Sequence, residues 1–209
     1  MAMVKALSQI WVMAASGGLC LLAARSAHAA PPGEWSIAVE RLFGLSRVTS
    51  EIETPSGDVS TTATSISIFT SFSGLRGYST PRLAFDYLAR SGVTFGGAVG
   101  YETISFDGGA DTSAWLLAAR VGYFARPSAG FGIWPRVGLT HVALDIGDDD
   151  DDDETATALT LEVPLVFLLG PGVGLTLTPH ADIGIAGGND QVDRTTTELG
   201  LQFGGNVFF

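Results

Sequence analysis

Residues 173–185 run Val-Gly-Leu-Thr-Leu-Thr-Pro-His-Ala-Asp-Ile-Gly-Ile, and this alternation decides the fold. Successive side chains of an extended chain point to opposite faces, so Val173, Leu175, Leu177, Ala181, Ile183 and Ile185 share one side. Gly174, Thr176, Thr178, His180, Asp182 and Gly184 share the other. The same period of two returns in 195–209, where Leu199, Leu201, Phe203, Val207 and Phe209 oppose Glu198, Gly200, Gln202, Gly204 and Asn206. It returns again in 156–169, 113–125 and 93–105. One face is always large and apolar; the other is small, with sparse charges. A soluble sandwich would turn the second face to water and furnish it with Lys, Glu, Thr and Asn. Gly, Ala and Thr suit a cramped interior instead, with the apolar face turned to lipid. Backbone groups at membrane depth all need partners, so spanning strands must close on themselves. The expected fold is all-β: an antiparallel up-and-down transmembrane β-barrel.

Composition agrees. The 209 residues carry 27 Gly and 12 Phe, are 46% apolar, and only 16% are charged, against about 25% in soluble domains. That length fits one domain. The net charge is −11, the one lysine is Lys5, and beyond residue 29 nine arginines face 22 acidic residues, which excludes nucleic acid as a partner. Residues 1–29 read as a cleaved secretory signal peptide: early Lys5, an apolar stretch from Ile10 to Ala24, and the small triplet Ala27-His28-Ala29. Residues 30–209 then form the barrel domain. Leu19 before Cys20 argues against acylation, and losing Cys20 with the leader excludes a disulfide, a zinc ribbon or a cysteine nucleophile. From Ala30 onward there is no run of 18 apolar residues, hence no helical span.

Nine segments alternate: 35–48, 61–73, 81–89, 93–106, 113–125, 131–146, 156–169, 173–186 and 195–209. Segments 61–73 and 81–89 read as one passage interrupted at residues 74–78, which gives eight strands, with ten as the alternative. Linkers 90–92, 126–130 and 170–172 are short, whereas 49–60, 107–112, 147–154 and 187–193 are longer and polar. Short turns belong on the periplasmic side of such barrels and long loops outside. Trp35, Tyr87, Phe95, Tyr123, Phe131, Phe167 and Phe209 gather near the short-turn end as an interfacial belt, with Tyr101 and Trp115 toward the other. Arg41 breaks the pattern: it shares parity with Ile37, Val39 and Phe43, and faces lipid unless a bulge between Glu40 and Gly44 flips the register.

The carboxyl end carries Gln202, Gly204, Val207 and Phe209. This pattern resembles the terminal assembly signal of outer-membrane β-barrels, with Val207 where an aromatic is usual. With the leader and the alternation, the chain resembles small eight-stranded barrels such as the OmpA transmembrane domain and OmpX. The resemblance implies insertion by the barrel-assembly machinery and residence in the outer membrane of a Gram-negative cell, with membrane lipid and lipopolysaccharide as partners.

Inward parity collects Arg82, Asp86, Glu102, Arg120, Arg136, Glu162, His180, Asp182 and Glu198. An eight-stranded interior is just wide enough for side chains to fill, so the expectation is a salt-bridged filling. Asp148, Asp149, Asp150, Asp151, Asp152, Asp153 and Glu154 form an acidic loop, read as a solvated tip that could hold divalent cations weakly through carboxylate oxygens. His141 has Asp145 four residues on but no nearby serine, poor support for nucleophilic catalysis. No cofactor is expected. The functional expectation is a non-enzymatic structural or surface-interaction protein. A passive channel for small solutes is the alternative; a lipid-modifying barrel enzyme or a soluble β-barrel binder follows behind.

Overall fold

A computed structural model describes residues 28–29, 34–53, 57–68, 78–104, 112–146, 154–170, 172–189 and 192–209. The expected leader, apart from His28 and Ala29, and the aspartates 148–153 lie outside the described residues. In chain order the strands are β1 (His28–Ala29), β2 (Glu34–Glu53), β3 (Val59–Ile68), β4 (Arg82–Leu88), β5 (Val93–Ile104), β6 (Thr112–Tyr123) and β7 (Ala125–Ser128). They continue with β8 (Phe131–Ile133), β9 (Arg136–Ile146), β10 (Glu154–Glu162), β11 (Leu165–Gly170), β12 (Val173–Gly188) and β13 (Asp193–Phe208).

These pieces make eight passages. β2, β4, β5, β6, β9, β10, β12 and β13 pair antiparallel in that order, and β13 pairs back onto β2, closing the barrel. β3 and β4 both pair with β2, β3 along Phe43–Ile52 and β4 along Glu34–Glu40, so they are two parts of one interrupted passage. Two other interruptions fall at Pro135, between β8 and β9, and at Pro164, between β10 and β11, because proline has no N–H to give to a ladder; a third falls at Phe124, between β6 and β7. Gly92 (φ 86°) and Gly172 (φ 76°) take left-handed conformations at the short-turn end, which glycine adopts without steric cost.

The alternation resolves as two surfaces. Outward stand Trp35, Phe85, Phe95, Leu117, Leu139, Leu175 and Phe203, all exposed. Aromatic pairs mark both ends of this apolar wall. Trp35 packs on Tyr87 at 5.0 Å and Phe131 on Phe167 at 5.4 Å near the short turns, and Tyr101 packs on Trp115 at 4.5 Å toward the long loops. Inward, alanines 38, 84, 98, 118 and 158 are buried beside polar side chains.

β2 departs from the expected register change. Phe43 pairs with Phe203 but Val39 pairs with Gly205, so Glu40, Arg41 and Leu42 together oppose Gly204. Two extra residues preserve parity on either side of the bulge. Only Arg41 is re-aimed, through a left-handed φ of 58°, and it is buried rather than lipid-facing.

Candidate functional site

The barrel's stagger brings distant residues together. One row of paired residues runs Ser36, Asp86, Gly96, Arg120, Gly138, Thr160, Asp182, Glu198 and arrives at Val48, further along the strand where it began. Every position in it is inward. Large charged residues therefore sit beside Gly96 and Gly138, which give up their side-chain volume to them. A Cβ at Gly96 would collide with the Asp86 carboxylate.

Four arginines and five carboxylates meet in this interior. Glu40 accepts from Arg82 Nε at 2.9 Å, Arg120 Nη1 at 2.7 Å and Arg136 Nη1 at 2.8 Å. Asp86 accepts from both Nε and Nη2 of Arg120, at 2.9 and 2.5 Å, a bidentate fork. Glu162 faces all four arginines: Arg41 at 3.0 Å, Arg136 at 2.8 Å, Arg120 at 3.8 Å, and Arg82 in direct contact. Asp182 takes Arg41 Nη1 at 2.8 Å and the Thr160 hydroxyl at 2.6 Å. Each of these four carboxylates thus has arginine partners that compensate its loss of water, which a buried charge requires.

Of the sequence-expected residues, Arg82, Asp86, Arg120, Arg136, Glu162, His180, Asp182 and Glu198 are all buried here. Glu102 stands apart, half-buried opposite Ala114 toward the long-loop end of β5; parity assigned its face but not its height. Glu40 and Arg41 were missed. Glu40 shares the parity of Ser36 and Ala38, a signal hidden by assigning it to the bulge. Arg41 enters only through a backbone conformation that no hydrophobic pattern reports. Glu154 opens β10, and its Oε2 lies 3.1 Å from Arg194 Nη1. Among the assembly-signal residues, Gln202 is buried and donates to the Ser79 hydroxyl at 2.8 Å. Gly204 lies against the Val39 carbonyl, Val207 faces outward, and Phe209 exchanges two backbone hydrogen bonds with Trp35 at 2.8 and 2.9 Å. His141 is exposed on the outer wall, with Nδ1 2.9 Å from the Thr157 hydroxyl.

Below the charges, toward the short turns, Leu88, Phe124, Trp134 and Val166 form a buried apolar cluster with Phe208 packed against it. Trp134 gives its Nε1–H to Thr94 at 2.9 Å and lies under the Arg136 guanidinium, 4.9 Å away, joining the two layers. The cavity lined by Arg82, Arg120, Arg136, Thr140, Thr160 and Glu162 holds about 10 Å³, room for about one water.

The crystal structure of Neisserial surface protein A is similar, with 12% identity and a TM-score of 0.50 over 83% of this chain and 96% of that one. The fold is that of small outer-membrane β-barrels. The outer membrane protein OprG from Pseudomonas aeruginosa aligns at 10% identity and TM-score 0.47, covering 88% of this chain and 99% of that one. Ail of Yersinia pestis aligns at 13% and 0.41, covering 83% and 99%. No protein-family model matches the chain, and no curated protein does.

Proposed function

We propose that this barrel resides in the outer membrane as a closed, non-conducting element whose role is structural or directed at external contacts, and that it is exported through a leader cleaved before Ala30. The observation that carries the reading is the filling seen among the described residues: an apolar layer under a charge network, with a cavity at its arginines that admits about one water. A solute path would have to break several buried ion pairs at once. Membrane lipid and lipopolysaccharide are the proposed contacts of the apolar wall, and the barrel-assembly machinery is the proposed reader of Phe209. Purified protein in planar bilayers tests the closed interior. Occasional flickers at most are expected; steady ohmic channels would establish the passive-pore alternative instead. Membrane fractionation with heat-modifiable gel mobility tests the location, and recovery in the soluble periplasm would reject it.

A further inference from the structure

His180, Asp182 and Glu198 stand apart from the arginine-saturated centre. Four arginines oppose five carboxylates among the described interior residues, and Glu198 is the carboxylate left without an arginine partner. Among the described residues its oxygens take the Tyr78 backbone N–H at 2.8 Å and the Ser79 hydroxyl. Beside it, His180 is 3% exposed and neither ring nitrogen has a hydrogen-bond partner among the described residues. A buried carboxylate without a cation and a buried imidazole without a partner are each costly. Here they share one place.

The distances say what would satisfy both. His180 Nε2 lies 3.6 Å from Glu198 Oε1 and 3.7 Å from Asp182 Oδ2. That is too long for a hydrogen bond, which closes to about 2.7–3.2 Å; a protonated ring between two carboxylates would draw in to that range. It does suit ligands of one ion, since bonds of about 2.0–2.2 Å in tetrahedral geometry set donor atoms about 3.4 Å apart. One donor atom from each of the three residues lies within 4.8 Å of the others. We infer that His180, Asp182 and Glu198 bind a divalent transition ion of the zinc class inside the barrel.

Sequence and register build the site. His180 and Asp182 are two residues apart on β12 and share its inward face, while Glu198 pairs directly with Asp182 from β13. Gly200, opposite His180, leaves room for the ring, because a Cβ there would come within 2.5 Å of His180 Cε1. The carboxylates are held from behind, Asp182 by Thr160 and Arg41, Glu198 by Tyr78 and Ser79. Outer contacts of this kind orient ligands and tune affinity. One imidazole with two carboxylates leaves a fourth position for water, and the residue whose backbone N–H holds Glu198, Tyr78, has a buried hydroxyl with no partner among the described residues. The ion would fasten the segment beginning at Tyr78 to β12 and β13.

Cobalt(II) titration of the full-length folded protein tests this, because an imidazole-bearing site of low coordination gives visible absorption that the loop aspartates, as hydrated octahedral sites, do not. One equivalent with such bands is expected, with affinity falling at least about tenfold in His180→Ala and Glu198→Gln. X-ray absorption of the zinc-loaded wild type should show a first shell of about four light N/O donors with the outer-shell scattering of one imidazole ring, a measurement independent of whether the variants fold. Absence of the bands, or bands unchanged in His180→Ala, would overturn the site. So would nitrogen NMR showing His180 doubly protonated and hydrogen-bonded to Glu198 with zinc present.

Discussion

The barrel interior holds two layers that solve the same filling problem by opposite means. Toward the short turns, Leu88, Phe124, Trp134, Val166 and Phe208 fill space with apolar volume. Above them, Glu40, Asp86, Glu162 and four arginines fill it with charge. The apolar layer tolerates small errors of shape, since each contact is weak and non-directional. The charged layer does not, because removing one member leaves the others desolvated and unpaired. Truncating a member of the charged layer should therefore cost more than truncating a member of the apolar one.

Glu162→Ala is expected to show the largest effect, because that carboxylate faces all four arginines. Loss of about 3–5 kcal/mol of stability is expected, read as an earlier midpoint in urea on gels that separate folded from unfolded barrel. Less than 1 kcal/mol would mean that the arginines find water or another carboxylate, and the contrast between layers would fall. Leu88→Ala comes next, at about 2–4 kcal/mol for a fully buried leucine. A cost equal to that of Glu162→Ala would place both layers on the same footing.

How much of this was legible follows from what period two encodes. It reports which face a residue takes, so Arg82, Asp86, Arg120, Arg136, Glu162, His180, Asp182 and Glu198 could be assigned inward from the sequence, and the interrupted passage through β3 and β4 gave the eight-stranded count. It does not report height along the barrel axis, so it could not show that Glu102 lies toward the long-loop end of β5. Nor does it report which inward residues meet, because the row from Ser36 to Val48 depends on the stagger between all eight strands. Arg41 needed a left-handed backbone at one residue. The apolar layer escaped notice because Phe124 and Phe208 lie on the polar parity at strand ends, and Trp134 lies in the break before Pro135.

Gly200→Ala sharpens the comparison from the other direction, by adding volume instead of removing it. The new methyl would meet the His180 ring and the Leu45 carbonyl, 2.8 Å away, and backbone cannot swing aside as a side-chain tip can. A destabilisation of about 1–3 kcal/mol is expected. A neutral outcome would show the His180 side of the network to be looser than the arginine side.

Arg194→Ala should have the smallest effect, and it isolates burial as the variable. Arg194 and Glu154 form an ion pair of 3.1 Å, close to the geometry of Arg41 and Glu162 at 3.0 Å. The chemistry is the same; the surroundings are not. The Arg194 side chain is 27% exposed near the long-loop end, against 3% for Arg41. The pair is part-buried, with Glu154 12% exposed, so water screens the attraction in part and the cost should fall well below that of the interior network, toward the about 0.2–1 kcal/mol that exposed pairs contribute. Arg194→Ala should accordingly shift the urea midpoint little, and added salt should shrink even that difference. A loss approaching that of Glu162→Ala would mean that the interior stays dry as far as the rim, and that the charged layer extends the full height of β10 and β13.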